Sequence, residues 1–342
     1  MAADVEFKLG TFTKNGGHPY AGLVLDDTVL DLDAVMQRIG TLNSRNPVSV
    51  RAMLDDWDTS FERLRSAANR VASDSLDKWR DAAAKLDSLG ILPPVYPPGA
   101  ILQSAANYRT HVIQLTVAHR FKGLGITDGM TDEEVYAKAA AMMDERARTG
   151  TPFIFAGTPA AICGARDDVI LPRRGAQHDW ELELAVIIGR RARNVSRDKA
   201  LDYVAGYTIC NDLTTRDLVA RKDNVELGLD WIGSKNAPTF FPTGPFLVPR
   251  AFVPDPMKLR ITLKLNGQTM QDESTGDMIF DVRRLIEYTS SITVMQPGDM
   301  LLTGSPAGNG SHWKRFLKPG DVMESSITGL GMQVNRCVAE EG

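Results

Sequence analysis

The chain has 342 residues, 43% hydrophobic and 24% charged, which predicts a globular protein with one large domain and one smaller domain. A net charge of −4 argues against a nucleic-acid partner, and no apolar run reaches the ~18–20 residues that cross a bilayer. The amino terminus does not resemble a secretory signal. Cys163, Cys210 and Cys337 are far apart in the sequence, which predicts reduced thiols in a cytoplasmic protein.

The first part of the chain, residues 1–92, is predicted to form a small α+β domain. Strand-like stretches come first, separated by Gly and Asn turns: VEFKLGTFT, AGLVLDD and TVLDL. Helical patterns follow across roughly 48–71 and 76–87. The segment 90–99, GILPPVYPPG, is rich in proline and predicts a linker to a second domain, residues 98–342.

The second domain begins with ILQSAANYRTHVIQL, which predicts a strand leading into a short helix. A long segment follows, 115–152, dominated by the helical stretch TDEEVYAKAAAMMDERAR. Thr131 and Glu134 form a capping box at its start, and Gly150 ends it. The rest of the domain is rich in strands, with a helix predicted at 281–292. The predicted strands are WELELAVIIG, YVAGYTICN, KLRITLKLNG, DMLLTG and QVNRCVAE. The fold class is therefore α+β.

Glu181 and Glu183 are two residues apart in a predicted strand, so both side chains point to the same face. One interpretation is that this end of the strand reaches solvent and the glutamates are its wet side. However, the following AVIIG predicts a strand that is covered on both faces. Two neighbouring carboxylates in a covered place repel each other unless a cation neutralises them, and a divalent metal is a common solution.

Asp212 is the candidate for a third ligand, because it follows the next predicted strand, YVAGYTICN. It would equally serve as the N-cap of a helix predicted just after it. If the two strands are neighbours, Asp212 lies near the glutamate pair. Three carboxylates form an oxygen-only site that suits Mg²⁺ or Mn²⁺ better than zinc.

Five motifs, in this order, resemble the fumarylacetoacetate hydrolase family over roughly residues 98–340. They are NYRTH (107–111), WELELAVIIG (180–189), YTICNDLTTRDL (207–218), GSKNAPTFFPTGPF (233–246) and LLTGSPAGNG (301–310). The resemblance implies a catalytic domain folded as a mixed β-roll or β-sandwich, usually in a homodimer. It implies a 2-oxo acid or β-diketone as substrate, of the kind met in aromatic-compound catabolism, and Mg²⁺, Mn²⁺ or Ca²⁺ bound by Glu181, Glu183 and Asp212.

The resemblance also implies a general base, His111, whose ordinary pKa near neutrality suits proton transfer. Without the family, the sequence favours a surface position for the side chain of His111. Many family members carry a glutamate three residues after this histidine, where this chain has Gln114. Gln114 can orient the imidazole but holds no charge opposite the imidazolium. The helical segment after this motif is predicted to cover the mouth of the site or pack on a partner subunit, and to determine substrate specificity.

Further residues are expected to contact the substrate. By resemblance, Lys235 stabilises an enolate or carboxylate charge. Arg216, one helical turn after Asp212, would clamp a carboxylate or else pair with Asp217 or Asp202 on the surface. The segment TGSPAGNG (303–310) is rich in small residues, and its backbone N–H groups and hydroxyls would hold substrate oxygens. The remaining residues assigned to substrate binding are Tyr108, Thr303, Gly304 and Ser305.

The leading hypothesis is a metal-dependent hydrolase that cleaves a carbon–carbon bond in an acylpyruvate-type β-diketone acid. His111 would activate a water, and Lys235 would help to stabilise the leaving enolate. A decarboxylase, tautomerase or hydratase-isomerase of 2-oxo acids would use the same site, and Gln114 mildly favours this alternative. A non-catalytic homologue is the third alternative, against which the retained carboxylate cluster argues.

Overall fold

A computed structural model describes residues 5–40, 48–74, 76–120, 125–127, 129–221 and 223–341. The amino-terminal part forms a five-stranded antiparallel sheet in the order β4-β3-β2-β1-β5, with helices beside it. Its strands are β1 (Lys8–Thr13), β2 (Tyr20–Leu25), β3 (Thr28–Asp31), β4 (Ala83–Lys85) and β5 (Gly90–Leu92), and its helices are α1 (Leu32–Arg38), α2 (Val50–Met53) and α3 (Trp57–Ser73).

The rest of the chain is rich in strands, as predicted, and the α+β class is confirmed. The strands are β6 (Ile101–Ala105), β7 (Phe153–Gly157), β8 (Ile162–Gly164), β9 (Val169–Leu171), β10 (His178–Asp179), β11 (Leu182–Ile188), β12 (Val204–Asn211), β13 (Thr214–Thr215), β14 (Phe241–Thr243), β15 (Val248–Pro249), β16 (Arg260–Leu265), β17 (Gln268–Ser274), β18 (Met300–Leu302), β19 (Val322–Ile327) and β20 (Gly331–Ala339). The helices are α4 (Arg109–His119), α5 (Asp132–Thr149), α6 (Trp231–Lys235), α7 (Val282–Ile292) and α8 (Gly310–Trp313). None of the helices in the described ranges is both long and apolar enough to span a bilayer.

Two sheets make up this larger part. An eight-stranded mixed sheet has the order β7-β6-β18-β11-β12-β14-β8, with β15 also paired to β12. A five-stranded sheet has the order β17-β16-β19-β20-β9. The short strands β10 and β13 pair only with each other among the described strands, beside the start of β11. The acidic residues of the candidate site are Asp179 in β10, Glu181 just before β11, Glu183 in β11 and Asp212 just after β12.

Strand β11 is buried along its whole length, as predicted from its apolar sequence. Alternate side chains enter different cores. Leu184 and Val186 pack in a core that includes residues of β16 and β19. Ala185 and Ile187 pack in a core that includes residues of the amino-terminal sheet. The amino-terminal part is therefore attached to the larger part by a shared core, and residues in β11 are inaccessible from either face.

Two predictions about the amino-terminal part are wrong. The predicted helix over 76–87 is a short 3-10 turn at Leu76–Trp79 followed by strand β4, because the backbone here pairs with β3. The segment 90–99 begins as strand β5 and continues with the buried Val95, so it belongs to the packed structure and is no free linker. Hydrogen bonding to β1 and burial of Val95 outweigh the turn-forming tendency of its prolines.

The predicted helix in segment 115–152 is confirmed, including both halves of the capping box between Thr131 and Glu134 and the end at Gly150. Residues 121–124 and 128 of this segment lie outside the described residues. Helix α5 packs against α4, because Ala139 and Met143 share a core with residues of α4. The segment is therefore packed against the helix that carries His111.

Candidate active site

Three carboxylates meet where β11 begins and β12 ends. The two strands are antiparallel, so Glu183 pairs with Cys210 and Leu182 with Asn211, which brings the start of one strand to the end of the other. The backbone N–H of Asp212 donates to the carbonyl of Glu181 at 2.9 Å. Ligand atoms of Glu181, Glu183 and Asp212 all lie within 4.8 Å of one another, and all three side chains are buried. The structure thus brings together the three residues predicted as metal ligands.

Burial and mutual repulsion disfavour the charged forms of two of these carboxylates. Burial, together with the charges of Asp212 and Glu181, raises the pKa of Glu183 well above its usual value. Burial raises the pKa of Asp212 to about 6, although Lys235 opposes the change. Burial acts on Glu181 too, but Arg216 and Lys235 together hold its pKa below the usual range. If all three carboxylates were ionised, the cluster would carry more negative charge than Lys235 and Arg216 neutralise, and this repulsion adds to burial in raising the two pKa values.

Lys235 is a cation in direct contact with the cluster, and it is buried at the end of α6. Its ammonium donates to Asp212 Oδ2 at 2.5 Å, to Glu181 Oε2 at 2.6 Å and to Thr214 Oγ1 at 2.7 Å. With its amide nitrogen facing the carboxylate, Gln103 donates to both oxygens of Asp212 at 2.7 and 2.8 Å. All three ammonium donors of Lys235 are thus occupied, and the orientation of Asp212 is determined by two neighbours.

Arg216 reaches the cluster from a different direction than predicted. It lies in a 3-10 turn directly after β13, and residues 213–218 contain no α-helix, so Asp212 is not the N-cap of one. The guanidinium donates to Asp179 Oδ2 at 2.8 Å and to Glu181 Oε1 at 2.5 Å. The predicted surface pairings with Asp217 or Asp202 are wrong, since Arg216 is turned inward to two buried carboxylates.

Asp179 was missed by the sequence reasoning, although it opens the stretch DWELEL. It is fully buried and accepts hydrogen bonds from the backbone N–H groups of Gly310 at 2.5 Å and Ser311 at 3.2 Å, in addition to the one from Arg216. Burial raises its pKa even though Arg216 opposes this. Asp179 therefore joins Arg216, and through it Glu181, to the start of α8.

His111 lies on α4 and is buried, with Nε2 3.7 Å from Glu181 Oε1. Burial lowers its pKa to about 4, against the attraction of Glu181, so the imidazole is neutral at physiological pH. Its Nδ1 atom has no hydrogen-bond partner. Gln114 accepts from the N–H of Gly308 at 3.1 Å, and the described structure contains no hydrogen bond between Gln114 and His111. Gln114 therefore holds the 303–310 segment against α4.

The predicted substrate-binding groups of the 303–310 segment are bonded within the protein. The hydroxyl of Thr303 donates to the carbonyl of Leu184 at 2.9 Å, and the N–H of Gly304 donates to Glu183 Oε2 at 2.6 Å. The hydroxyl of Ser305 accepts from an amide of Gln271 at 3.0 Å. This segment thus fixes the orientation of Glu183, a role that the sequence reasoning did not assign to it.

Tyr108 was predicted to contact the substrate, and its neighbour Asn107 was given no role. The ring of Tyr108 is fully buried in the core, burial raises the pKa of its hydroxyl well above the usual value, and that hydroxyl is unpaired. Asn107 was not predicted to matter. Its amide nitrogen donates to the carbonyls of Phe280 at 3.0 Å and Thr303 at 2.8 Å, and its oxygen accepts from the N–H of Phe280. Asn107 joins the 303–310 segment to the start of α4.

The residues present fit a divalent cation. Glu181, Glu183, Asp212 and Asp179 supply four buried carboxylates, while the buried Lys235 and the largely buried Arg216 supply two cations, so two negative charges remain when all are ionised. Carboxylate oxygens are the ligands that Mg²⁺, Mn²⁺ and Ca²⁺ prefer. Fold and site together define an α+β protein with a buried carboxylate cluster suited to such an ion, flanked by a lysine and a neutral histidine.

Comparison with known proteins assigns the family. Residues 100–338 match the family model described as fumarylacetoacetate (FAA) hydrolase C-terminal. A fumarylacetoacetate hydrolase domain-containing protein 2 homolog from Dictyostelium discoideum is 31% identical over 341 residues, covering 96% of each chain. The chain belongs to the fumarylacetoacetate hydrolase family. A putative hydrolase from Burkholderia cenocepacia is 39% identical over 188 residues, which are 54% of this chain but only 65% of that protein.

Solved structures share the fold over nearly the whole chain. Maleylpyruvate hydrolase from Sphingobium sp. SYK-6, in complex with manganese(II) and pyruvate, is 25% identical with a TM-score of 0.70, covering 98% of this chain and 100% of that one. A probable 2-hydroxyhepta-2,4-diene-1,7-dioate isomerase from Mycobacterium abscessus is 25% identical with a TM-score of 0.68, again covering 98% and 100%. A structure that shares this fold thus contains a divalent metal.

Proposed function

We propose that this protein is a divalent-metal-dependent hydrolase that cleaves a carbon–carbon bond in an acylpyruvate-type 2-oxo acid. One observation carries the proposal: a buried oxygen-only cluster, whose full ionisation leaves excess negative charge, lies beside a buried imidazole and a buried ammonium. Membership of the family, the hydrolases among its relatives and the manganese complex of a 25% identical structure support it.

In the proposed reaction, the oxygen of a water forms a bond to the distal carbonyl carbon of R–CO–CH₂–CO–COO⁻. The bond from that carbon to the methylene breaks, and its electron pair passes to the methylene, giving the enolate of pyruvate. Protonation of the enolate gives pyruvate, and the other product is the carboxylate of R. Glu181, Glu183 and Asp212 would hold a divalent cation, which when bound would supply Lewis-acid polarisation of the substrate oxygens.

The residues of the chain have separate tasks in this reaction. His111 accepts the proton of the water, since a neutral imidazole has one acceptor nitrogen and its Nε2 faces the cluster, 3.7 Å from Glu181 Oε1. Lys235 stabilises the enolate charge, and it reaches a substrate oxygen by exchanging one of its three present acceptors. Gly304 and Gln103 hold Glu183 and Asp212 in their orientations.

The test supplies Mn²⁺ to the full chain, follows the loss of the enol absorbance of several acylpyruvates, and identifies the products by chromatography. We expect one pyruvate and one carboxylate per substrate consumed. His111→Asn should lower kcat about 10²–10⁴-fold, the usual contribution of a general base. It should leave Mn²⁺ binding intact, because His111 is no ligand in this proposal.

Glu133→Gln is the matched control, because Glu133 is an exposed residue in the first turn of α5. It should retain full activity. Binding of Mn²⁺ without formation of two shorter acids from any acylpyruvate would contradict the proposed hydrolysis. In that case the metal site would stand and the reaction would need another assignment.

A second candidate is an isomerase, tautomerase or decarboxylase of 2-oxo acids at the same site. The specific observation in its favour is that Gln114 is bonded to Gly308 and that His111 Nδ1 has no carboxylate partner. A modest proton shuttle is enough for enolate chemistry that uses no water. Conversion of oxaloacetate to pyruvate, or of one double-bond isomer to another, without hydrolysis of acylpyruvates would favour this candidate.

A further inference from the structure

Two aromatic rings lie beside the ammonium of Lys235. Phe155 is in the edge strand β7, and Trp231 is the first residue of α6. Their ring centroids are 4.8 Å apart and the planes differ by 21°, which is a stacked pair. Lys235 Nζ lies 5.9 Å from the centroid of each ring. The pair is therefore directly adjacent to the residue that contacts Glu181 and Asp212.

Core packing does not explain these rings. Both are partly exposed, and neither is among the described residues that pack into or against the two hydrophobic cores. Phe153, which is 49% exposed, extends the apolar surface, with its ring centroid 6.4 Å from that of Trp231. Ile232 is the next residue and is 58% exposed. Exposed and partly exposed apolar side chains thus lie next to the rings that contact the buried ammonium.

Both rings are carried by segments that are fixed to each other. The side-chain oxygen of Asn236, at the end of α6, accepts a hydrogen bond of 2.6 Å from the backbone N–H of Thr158, which follows β7. Asp230 caps α6 by accepting the N–H of Gly233 at 2.7 Å. The rings are therefore held in a defined relation, and a bound ligand would lose little free energy in ordering them.

The charges around the site argue against a second negative group on the substrate. Arg216 is bonded to Asp179 and Glu181, and all three donors of Lys235 have protein acceptors. A cation bound at the carboxylate cluster can bind one 2-oxo carboxylate group of the substrate. A further carboxylate at the distal end would face the aromatic pair, whose faces carry partial negative charge.

We propose that Phe155 and Trp231 bind the distal acyl substituent of the substrate and make the enzyme selective for apolar, above all aromatic, substituents. This inference rests on the proposed function and specifies its substrate class: an aroyl- or alkanoyl-pyruvate in preference to one with a second carboxylate. The rings act on specificity and take no part in bond breaking.

Binding of acids that lack the cleavable carbonyl tests this inference separately from turnover. Isothermal titration of the Mn²⁺-loaded full chain would compare 4-phenyl-2-oxobutanoate, 2-oxobutanoate and 2-oxoadipate. We expect the phenyl compound to bind about tenfold more tightly than 2-oxobutanoate, from burial of its ring and stacking, and 2-oxoadipate to show no such gain. Trp231→Ala should remove the preference, and Trp231→Phe should retain most of it.

Phe155→Leu is a second variant in case Trp231→Ala folds poorly, and it should reduce the preference severalfold. Tyr136→Ala, at an exposed aromatic residue of α5, is the control and should keep the full preference. An unchanged preference in both site variants, or tightest binding of 2-oxoadipate, would overturn the inference and leave the proposed hydrolase intact. Mn²⁺ binding with no affinity for any of the three acids would instead overturn the proposed function. A change of oligomeric state in the variants, with the preference unchanged, would overturn the inference too and identify the pair as part of a protein contact.

Discussion

At the scale of single residues, the ion pair between Asp179 and Arg216 fixes one oxygen of Glu181, while Lys235 bonds the other. Arg216 bridges the two carboxylates, and Asp179 is held in turn by backbone N–H groups at the start of α8. All three side chains are largely removed from water, so each charge depends on its partner. Loss of Asp179 would leave Arg216 buried with one partner fewer and free to turn away from Glu181.

Asp179→Ala should therefore lower the free energy of unfolding by about 3–5 kcal/mol, the usual cost of removing one member of a buried ion pair. It should also weaken Mn²⁺ binding, because Glu181 loses its fixed neighbour. Chemical denaturation and calorimetric titration measure the two effects. Asp223→Ala, which removes an exposed partner of Arg221, is the control and should change neither. Equal stability of the Asp179 and Asp223 variants would refute the role given to Asp179.

Metal binding should stabilise the folded protein, because the unfolded chain does not assemble the three carboxylates. Mn²⁺ at about 100 times its Kd should add about 2.7 kcal/mol to the free energy of unfolding, and a chelator should reverse the gain. Glu183→Gln should abolish the gain, since it removes one of the three ligands. Thermal unfolding with and without Mn²⁺ is the measurement. If Mn²⁺, Mg²⁺ and Ca²⁺ all left the unfolding temperature of the wild-type protein unchanged, a divalent-metal site at these three carboxylates would be excluded.

The sequence predicted part of this site for a clear physical reason. Strand alternation puts Glu181 and Glu183 on one face, and pairing of consecutive antiparallel strands brings Asp212 to them. The sequence did not predict that Asp179 and Gln103 belong to the site. Asp179 lies in the two-residue strand β10, whose place depends on pairing with β13, and the residues of β13 were predicted to be helical. Contacts made by such short, irregular segments leave no periodic pattern in the sequence.

At the scale of elements, the 303–310 segment is the one on which the site depends most. It orients Glu183 through Gly304, contacts α4 through the N–H of Gly308, and accepts at the Gly308 carbonyl from the indole of Trp180 at 3.0 Å. Gly308 has φ +93°, where glycine is favoured, and a Cβ there would lie 2.1 Å from the carbonyl oxygen of Met270. The close approach of two backbones requires glycine at this position.

Gly308→Ala and Gly320→Ala form a matched pair. Gly320 has φ +94°, but a Cβ there would meet nothing within 4 Å, so its substitution should cost about 1–2 kcal/mol, from conformation alone. Gly308→Ala should cost a further ~1–3 kcal/mol, because the Met270 backbone must move. It should also weaken Mn²⁺ binding through displacement of Gly304. Denaturation midpoints and Mn²⁺ titrations compare the two, and equal losses would contradict the close packing at Gly308.

Helices with strong end signals were predicted well, and short elements were not. Helix α5 follows its capping box. The predicted start of α7, Asp281, is its N-cap, and the helix begins at the next residue. The segment 76–87 has helical spacing of apolar residues but becomes partly a strand, because the edge of β3 offers backbone partners there. Local propensity predicts an element only where tertiary hydrogen bonding does not compete with it.

At the scale of the whole molecule, the amino-terminal part and the larger part share one core. Leu9 and Leu23 pack with Ala185 and Ile187 of β11, the strand that carries Glu183. Two backbone hydrogen bonds join Leu9 to Leu247, at 2.9 and 2.8 Å. Because the far side of the site-bearing strand is covered by the amino-terminal sheet, the two parts should unfold together.

Leu9→Ala tests this coupling. Leu9 is fully buried, so its truncation should lower the free energy of unfolding by about 2–5 kcal/mol, from lost burial and the cavity left behind. Urea unfolding followed by circular dichroism and by Mn²⁺ binding should show one shared midpoint, shifted equally in the variant. Leu229→Ala, at a leucine that is 51% exposed, is the control and should shift it little. If instead Mn²⁺ binding persisted beyond a first transition, the amino-terminal sheet would be an independent unit that merely rests on β11, and the cover it provides would be dispensable for the metal site.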